Sequence, residues 1–460
     1  MIVNNLNSYE EHTAYYNLYT ENNSKLNYII QDIIQKYNFK YEPEKHYRIN
    51  PDSIITRNIY ELSGLIIMLN AIIEKNIYGY CIKTGKKYKC EKMHYSDAMI
   101  QTKFYYTTYH FNCSQDEFVI YFGWEYFTPM LIHYPKSNII FNISYRYSNI
   151  QSIFDTSKIN YSISHYPINN FISYAIGIMH NAGHYLWQEI YGLMLLFEYN
   201  LLDNIDEFLI YKYDYLNIAT ILKNKYNKQI TFLNSNIPNH NCSINLSKHY
   251  ISNSLIETFK NIYELKSINI NNEINILIYI RTNDRIWLNQ NTIIVNLINT
   301  IKSKYVNYNV NFYISGFYTY NKNTINNAYN ANKEINEQNI IFNKIQKSIN
   351  FTIYNLINSK LSDIVKLCQK MDICIANAGS GICFYNQVIF NKHTIFFTSK
   401  SKTAPFNSQR SAFENNLDNG QYVNKEYIID ANNDNFYLKY CILTPLAISL
   451  IDKLILPLKL

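Results

Sequence analysis

The sequence predicts an α/β protein of more than one domain, and three observations carry that prediction. Ile274 to Ile280 is a near-continuous apolar run, as a strand buried on both faces should be. Short apolar runs then alternate with helical stretches as far as Phe397, the rhythm of a parallel sheet with right-handed crossovers. At 460 residues the chain also exceeds what one hydrophobic core usually serves.

Taken in order, residues 1 to about 75 read as helical, with apolar residues at three- and four-residue spacing over Leu26–Ile34 and Ile59–Ile73. From Tyr78 to Tyr147 the pattern becomes short runs rich in Tyr, Phe, Ile and Thr, including Phe104–His110, Phe118–Phe122 and Ile139–Ile143. Such runs predict strands joined by turns. Gly183 then precedes an amphipathic helix over His184–Tyr199. A strand at Phe208–Tyr211, a helix at Tyr215–Tyr226 and a strand at Ile230–Leu233 follow.

The second half repeats the alternation. After Ile274–Ile280 come a helix at Thr292–Lys302 and a strand at Val310–Ile314. The Asn-rich stretch Tyr318–Lys347 reads as a long loop with some helix. A strand at Phe351–Tyr354, a helix at Ser362–Lys370, a strand at Asp372–Ala376, a short helix at Ile382–Phe390 and a strand at Thr394–Phe397 complete it. Tyr440–Ile451 reads as a packed C-terminal helix. Two α/β halves in succession predict two Rossmann-like domains facing a cleft. The boundaries are a helical then β-rich accessory region at 1–150, a first domain at 151–268, a second at 269–436, and a C-terminal helix packing back at 437–460.

Composition narrows the function. Only 17% of residues are charged, against about 25% in an average protein. Asn, Ile and Tyr fill the gap; with Lys they share A/T-rich codons, so the bias reads as genomic. A net charge of +7 without a basic stripe argues against a nucleic-acid partner. It suits anionic small substrates or a loose hold on an anionic membrane surface. Eight scattered cysteines form neither a disulfide framework nor a zinc ribbon. With no basic-then-apolar leader at Met1–Glu10 and no run of 18 apolar residues, the expected location is cytoplasmic, with peripheral membrane association allowed.

Ligands of open parallel sheets bind beyond the carboxyl ends of the strands, which selects three places. Arg281-Thr282-Asn283-Asp284-Arg285 follows the apolar strand. Two guanidinium groups there can both reach one diphosphate, and Asp284 can orient one Arg or hold a sugar hydroxyl. A surface turn with a local ion pair is the competing reading. Asn377-Ala378-Gly379-Ser380-Gly381 lies between a strand and a helix. Small residues there let the backbone approach an anion, and the helix adds free N–H donors. A purely steric turn competes; neither the dinucleotide fingerprint nor the P-loop is present. His180-Asn181-Ala182-Gly183-His184 heads the long helix. A first-turn His184 would stay neutral and able to accept a proton. A half-buried, hydrogen-bonded histidine competes, and zinc is disfavoured because Gly183 interrupts the helix between the two histidines and the metalloprotease Glu is missing. No nucleophile elbow occurs.

Three segments in this order resemble family 61 glycosyltransferases: Asn181–Glu189, Ile278–Arg285 and Asp372–Gly381. The Arg281 loop is also similar to the donor-phosphate loop of protein and core fucosyltransferases. The resemblance spans roughly 170 to 400 and departs from the family in lacking a histidine at Asn377–Gly381. It implies a GT-B fold of two Rossmann-like domains, with a nucleotide-sugar donor in the second and no cofactor or metal. It further implies that Arg281, with Arg285, neutralises the leaving diphosphate. Asp284 and the Asn377, Gly379, Ser380 and Gly381 turn hold the donor. His184, or else Glu189, takes the proton of a glycan, protein-linked or lipid-linked acceptor hydroxyl in an inverting displacement. The alternative is a non-catalytic glycan- or nucleotide-binding subunit with a degenerate GT-B fold. An NAD-dependent enzyme is disfavoured, because no Gly-x-Gly-x-x-Gly turn follows the first strand of either half.

Overall fold

The computed structural model describes residues 2–5, 9–36, 64–96, 106–113, 116–123, 128–142, 161–165, 169–178, 185–233, 243–246, 253–266, 268, 272–282, 286–316, 331–377, 385–397, 420–422, 428–430 and 439–442. The chain is mixed α/β and divides into two compact units: residues 1–214 with 218–258, and residues 215–217 with 259–460.

In the first unit, helices Tyr9–Glu21 and Ser24–Lys36 and helical residues 64–74 accompany β1 (Ile2–Asn5) and the hairpin β2 (Tyr78–Tyr80) and β3 (Lys87–Lys89). Strands β4 (Lys92–Ser96), β5 (Tyr106–Cys113), β6 (Asp116–Gly123), β7 (Thr128–Tyr134), β8 (Ile139–Asn142) and β9 (Tyr161–His165) follow. They build a sheet in the order β1-β8-β7-β6-β5-β4-β9, antiparallel except where β1 meets β8. Tyr109, Phe111, Phe118, Ile120 and Ile132 are buried on it, as the aromatic alternation of the sequence requires. The lysine-dense hairpin spends its charge locally, Lys87 on Glu74 and Lys83 on Asp116.

The same unit holds a parallel sheet of β10 (Ser173–Ile176), β11 (Glu207–Ile210), β12 (Gln229–Phe232) and β13 (Ser243–Ile244), in the order β12-β11-β10-β13. Asp206 starts β11 against β10: its Oδ2 accepts the Ile172 N–H at 2.7 Å and its own N–H donates to Ile172 O at 3.0 Å. Helix Tyr191–Glu198 closes on Leu246 through Gly192, where any Cβ would fall 1.4 Å from the Leu246 carbonyl oxygen.

The second unit is built on β14 (Glu273–Tyr279), β16 (Asn309–Ser315), β17 (Tyr354–Asn355), β18 (Ile373–Asn377), β19 (His393–Phe397) and β20 (Gly420–Tyr422). All pair in parallel, in the order β17-β16-β14-β18-β19-β20. A small second sheet joins β15 (Ile286–Trp287), β22 (Lys439–Ile442) and β21 (Ile428–Asp430). Ile274, Ile276 and Ile278 point to one core with Ile293, Ile294, Leu297 and Ile298 of helix Gln290–Lys304 and Ile345 of helix Ala331–Lys347. Cys374 alternates to the other face, where Cys368 of helix Leu361–Cys368 lies beside it; burial, then Cys374, pushes that thiol's pKa up.

Register between β14 and β18 is set by a second aspartate. Asn275 N–H donates to Asp372 Oδ2 at 2.8 Å and Asp372 N–H to Asn275 O at 2.9 Å. Asn275 Oδ1 in turn accepts Asn311 Nδ2 at 3.1 Å.

Several expectations change here. Helix Ala331–Lys347 occupies more than half of the stretch read as a long loop with some helix, and residues 317–330 lie outside the described residues. The strand read at Phe351–Tyr354 is only Tyr354–Asn355, where β17 reaches the sheet edge. Of the helix expected at His184–Tyr199, Tyr185–Ile190 is a π-helical turn ahead of helix Tyr191–Glu198, and of the one expected at Ile382–Phe390 the described part is a π-helical turn, Tyr385–Ile389. Where a C-terminal helix is expected, Lys439–Ile442 is strand β22, and residues 443–460 lie outside the described residues. Among the described residues no helix is long and apolar enough to cross a membrane.

Asp372→Ala is expected to lower stability by about 2 kcal/mol, the value of a hydrogen bond to a charged acceptor. Urea denaturation measures it; a loss under about 0.5 kcal/mol would show that the aspartate does not hold the register.

Candidate functional site

In the second sheet, chain order runs outward from β14 in one direction through β16 and β17 and in the other through β18, β19 and β20. The reversal lies between β14 and β18, the place where open parallel sheets bind ligands. The two strands pair from Ile276/Ile373 to Ile278/Ile375. Arg281 follows Ile278 by three residues, and Asn377, the last residue of β18, follows Ile375 by two, so both lie at the carboxyl ends of neighbouring strands. Two of the three segments singled out by sequence thus begin at the same end of adjacent strands.

The surroundings of Arg281 are polar and under-satisfied. Gln290, the first residue of helix Gln290–Lys304, donates from Nε2 to the Arg281 carbonyl at 3.0 Å. Ser315, the last residue of β16, faces Tyr279 and accepts the Ile280 N–H at 2.9 Å through its carbonyl. Trp287 packs against Phe397 at the end of β19, ring centroids 4.4 Å apart. Thr282 Oγ1, Trp287 Nε1, Gln290 Oε1 and Ser315 Oγ are all buried without a partner among the described residues. Each such orphan costs roughly 1–3 kcal/mol, and a ligand at the strand ends would offset that cost.

The first unit has its own knot at the carboxyl end of β10. Gly177 takes φ +82°, and a Cβ there would lie 2.9 Å from Tyr211 O, so the position requires glycine. Its N–H donates to Glu189 Oε2 at 2.6 Å and its carbonyl accepts Tyr213 N–H at 3.0 Å. Tyr185, opening the π-helical turn, donates its hydroxyl to Asp214 Oδ1 at 2.9 Å. Asp214 also accepts the N–H groups of Ile218 and Ala219, capping helix Ile218–Tyr226. Burial raises the Asp214 carboxyl above its ordinary pKa, against the pull of these three donors. Glu189 is fully buried, so the second candidate for the acceptor's base is engaged with backbone inside the unit.

Of the other residues named from sequence, His184, Asp284, Arg285, Gly379, Ser380 and Gly381 lie outside the described residues. Asn377 is buried at the end of β18 and Arg281 is half-buried. Gln290, Ser315 and Asp214 escaped notice, because a polar residue at an element's end looks the same whether it caps or binds. A further titratable group sits on the antiparallel sheet. His110 Nδ1 lies 2.7 Å from Glu117 Oε1 and its Nε2 lies 3.1 Å from Thr108 Oγ1. Thr108 is fully buried. Burial lowers the His110 pKa although Glu117 raises it. Among the described residues no three His, Cys, Asp or Glu side chains are grouped to hold a metal ion.

Glu189→Ala should cost about 3 kcal/mol in urea denaturation, combining a stranded Gly177 N–H with a cavity. Glu189→Gln should cost less, because an amide oxygen can accept the same bond; equal losses would contradict that role. No protein-family model and no curated protein sequence matches the chain.

Proposed function

We propose that the chain is a glycosyltransferase of GT-B type that moves a sugar from a nucleotide sugar to a hydroxyl acceptor. The observation that supports it most is that Arg281 and Asn377 lie at the carboxyl ends of β14 and β18, the neighbouring strands at the strand-order reversal. A nucleoside diphosphate leaving group needs positive charge and backbone donors where its own charge develops. Arg281, with Arg285, meets the diphosphate, and Asp284 and the Asn377, Gly379, Ser380 and Gly381 turn hold the donor. The acceptor oxygen attacks the anomeric carbon as the bond to the diphosphate oxygen breaks. His184 takes the acceptor's proton, and the sugar's configuration inverts. Glu189 is assigned a positioning role because its carboxylate already accepts the Gly177 N–H. The acceptor class is a glycan or a protein- or lipid-linked hydroxyl.

One feature favours a second reading, a nucleotide- or glycan-binding subunit without catalysis: the Asn377–Gly381 segment has no histidine. Ligand-induced thermal shifts and turnover separate the two. A nucleoside diphosphate at about 100 times its Kd should add about 2.7 kcal/mol to native stability, and Arg281→Ala should abolish the shift. Turnover of the matching nucleotide sugar should fall at least about 100-fold in the same variant. Binding without turnover supports the non-catalytic subunit; no shift with any nucleotide contradicts the transferase reading and leaves a glycan-binding subunit.

A further inference from the structure

We infer that Gln290 reads a hydroxyl or amino group of the bound ligand, so that a ribosyl or glycosyl group lies against this residue. The inference rests on the ligand class proposed above and names which part of that ligand sits here. Its basis is the polarity of one buried amide. The Arg281 carbonyl can only accept, so the group facing it at 3.0 Å must be the Gln290 NH2. That fixes Gln290 Oε1 as an acceptor, buried and without a donor among the described residues. Gln290 is 4% exposed, so an unpartnered acceptor here is costly.

A diphosphate ester at neutral pH offers oxygen lone pairs and no hydrogen-bond donor, so it cannot satisfy this atom. Sugar and ribose hydroxyls can. Two more orphans are Thr282, next to Arg281 in the chain, and Ser315, the partner of Tyr279 across the ladder. Their hydroxyls rotate and either donate or accept, which suits neighbouring hydroxyls on one ring. The free N–H groups of the helix that Gln290 opens favour anions at the same edge. Phosphate and hydroxyl-bearing group are thereby recognised by different atoms of one short stretch, Arg281 to Gln290.

Isothermal titration of the full chain tests this with uridine, guanosine, adenosine and cytidine diphosphates and with inorganic pyrophosphate. Gln290→Met is expected to weaken the preferred nucleoside diphosphate about tenfold while pyrophosphate changes less than about twofold. Arg281→Ala is expected to weaken both. If Gln290→Met proves unfolded, Thr282→Val, equal in volume, should show the same selective loss. Equal losses for both ligands, or none, overturn the inference while leaving the transferase reading in place. Binding of pyrophosphate alone by the wild type also overturns it. If neither ligand binds the wild type, the transferase reading fails and this inference falls with it.

Discussion

Between Asn275 and Asp372 two hydrogen bonds run in opposite directions, backbone to carboxylate at 2.8 Å and backbone to backbone at 2.9 Å. They start β18 beside β14 in a single register. A slip by one residue would turn Ile373 and Ile375 away from the core they share with Ile276 and Ile278. The same register decides which residues reach the far end of the two strands, and Arg281 and Asn377 are among them. The candidate site is therefore a consequence of pairing fixed about five residues earlier in each strand, and its geometry is inherited from the core.

The first unit repeats this logic with different residues. Its parallel strands, taken in chain order, stand third, second, first and fourth, as do the corresponding strands of the second unit. An aspartate again starts one strand against another, Asp206 on Ile172. A π-helical turn beginning with a buried tyrosine opens the segment after β10 in one unit and after β18 in the other. The strand ends are finished differently. Around β10 the buried carboxylates of Glu189 and Asp214 accept backbone N–H groups. An orphan amide oxygen remains there too, Asn245 Oδ1, whose Nδ2 donates to Ala175 O. Beside Arg281, Thr282 Oγ1, Gln290 Oε1 and Ser315 Oγ lack partners among the described residues, and a guanidinium group stands with them. That cation is why the second unit is assigned the ligand.

Much of this order was legible in the sequence because burial on both faces removes ambiguity. Ile274–Ile280 could only be a central strand, and it is, as β14. Asp372–Ala376 and Val310–Ile314 were readable for the same reason. Helix Ala331–Lys347 was not: its asparagines suppress helix propensity, and only a thin stripe, including Phe342 and Ile345, meets the core. Strand β17 is two exposed residues whose pairing depends on Tyr313 and Ile314 of β16, a contact no local pattern encodes. At the site, Arg281 was visible by charge and position. Gln290 was not, since its role follows from a hydrogen bond to a carbonyl nine residues away.

Photo-crosslinking with an azido-nucleoside diphosphate of the preferred base, followed by peptide mapping, addresses the placement of the ligand most directly. Competable labelling is expected on peptides spanning Tyr279 to Gln290 and Asp372 to Gly381. Competable labelling confined to residues 1–150, or to peptides of the β10 strand end, would contradict a ligand site at the β14/β18 reversal.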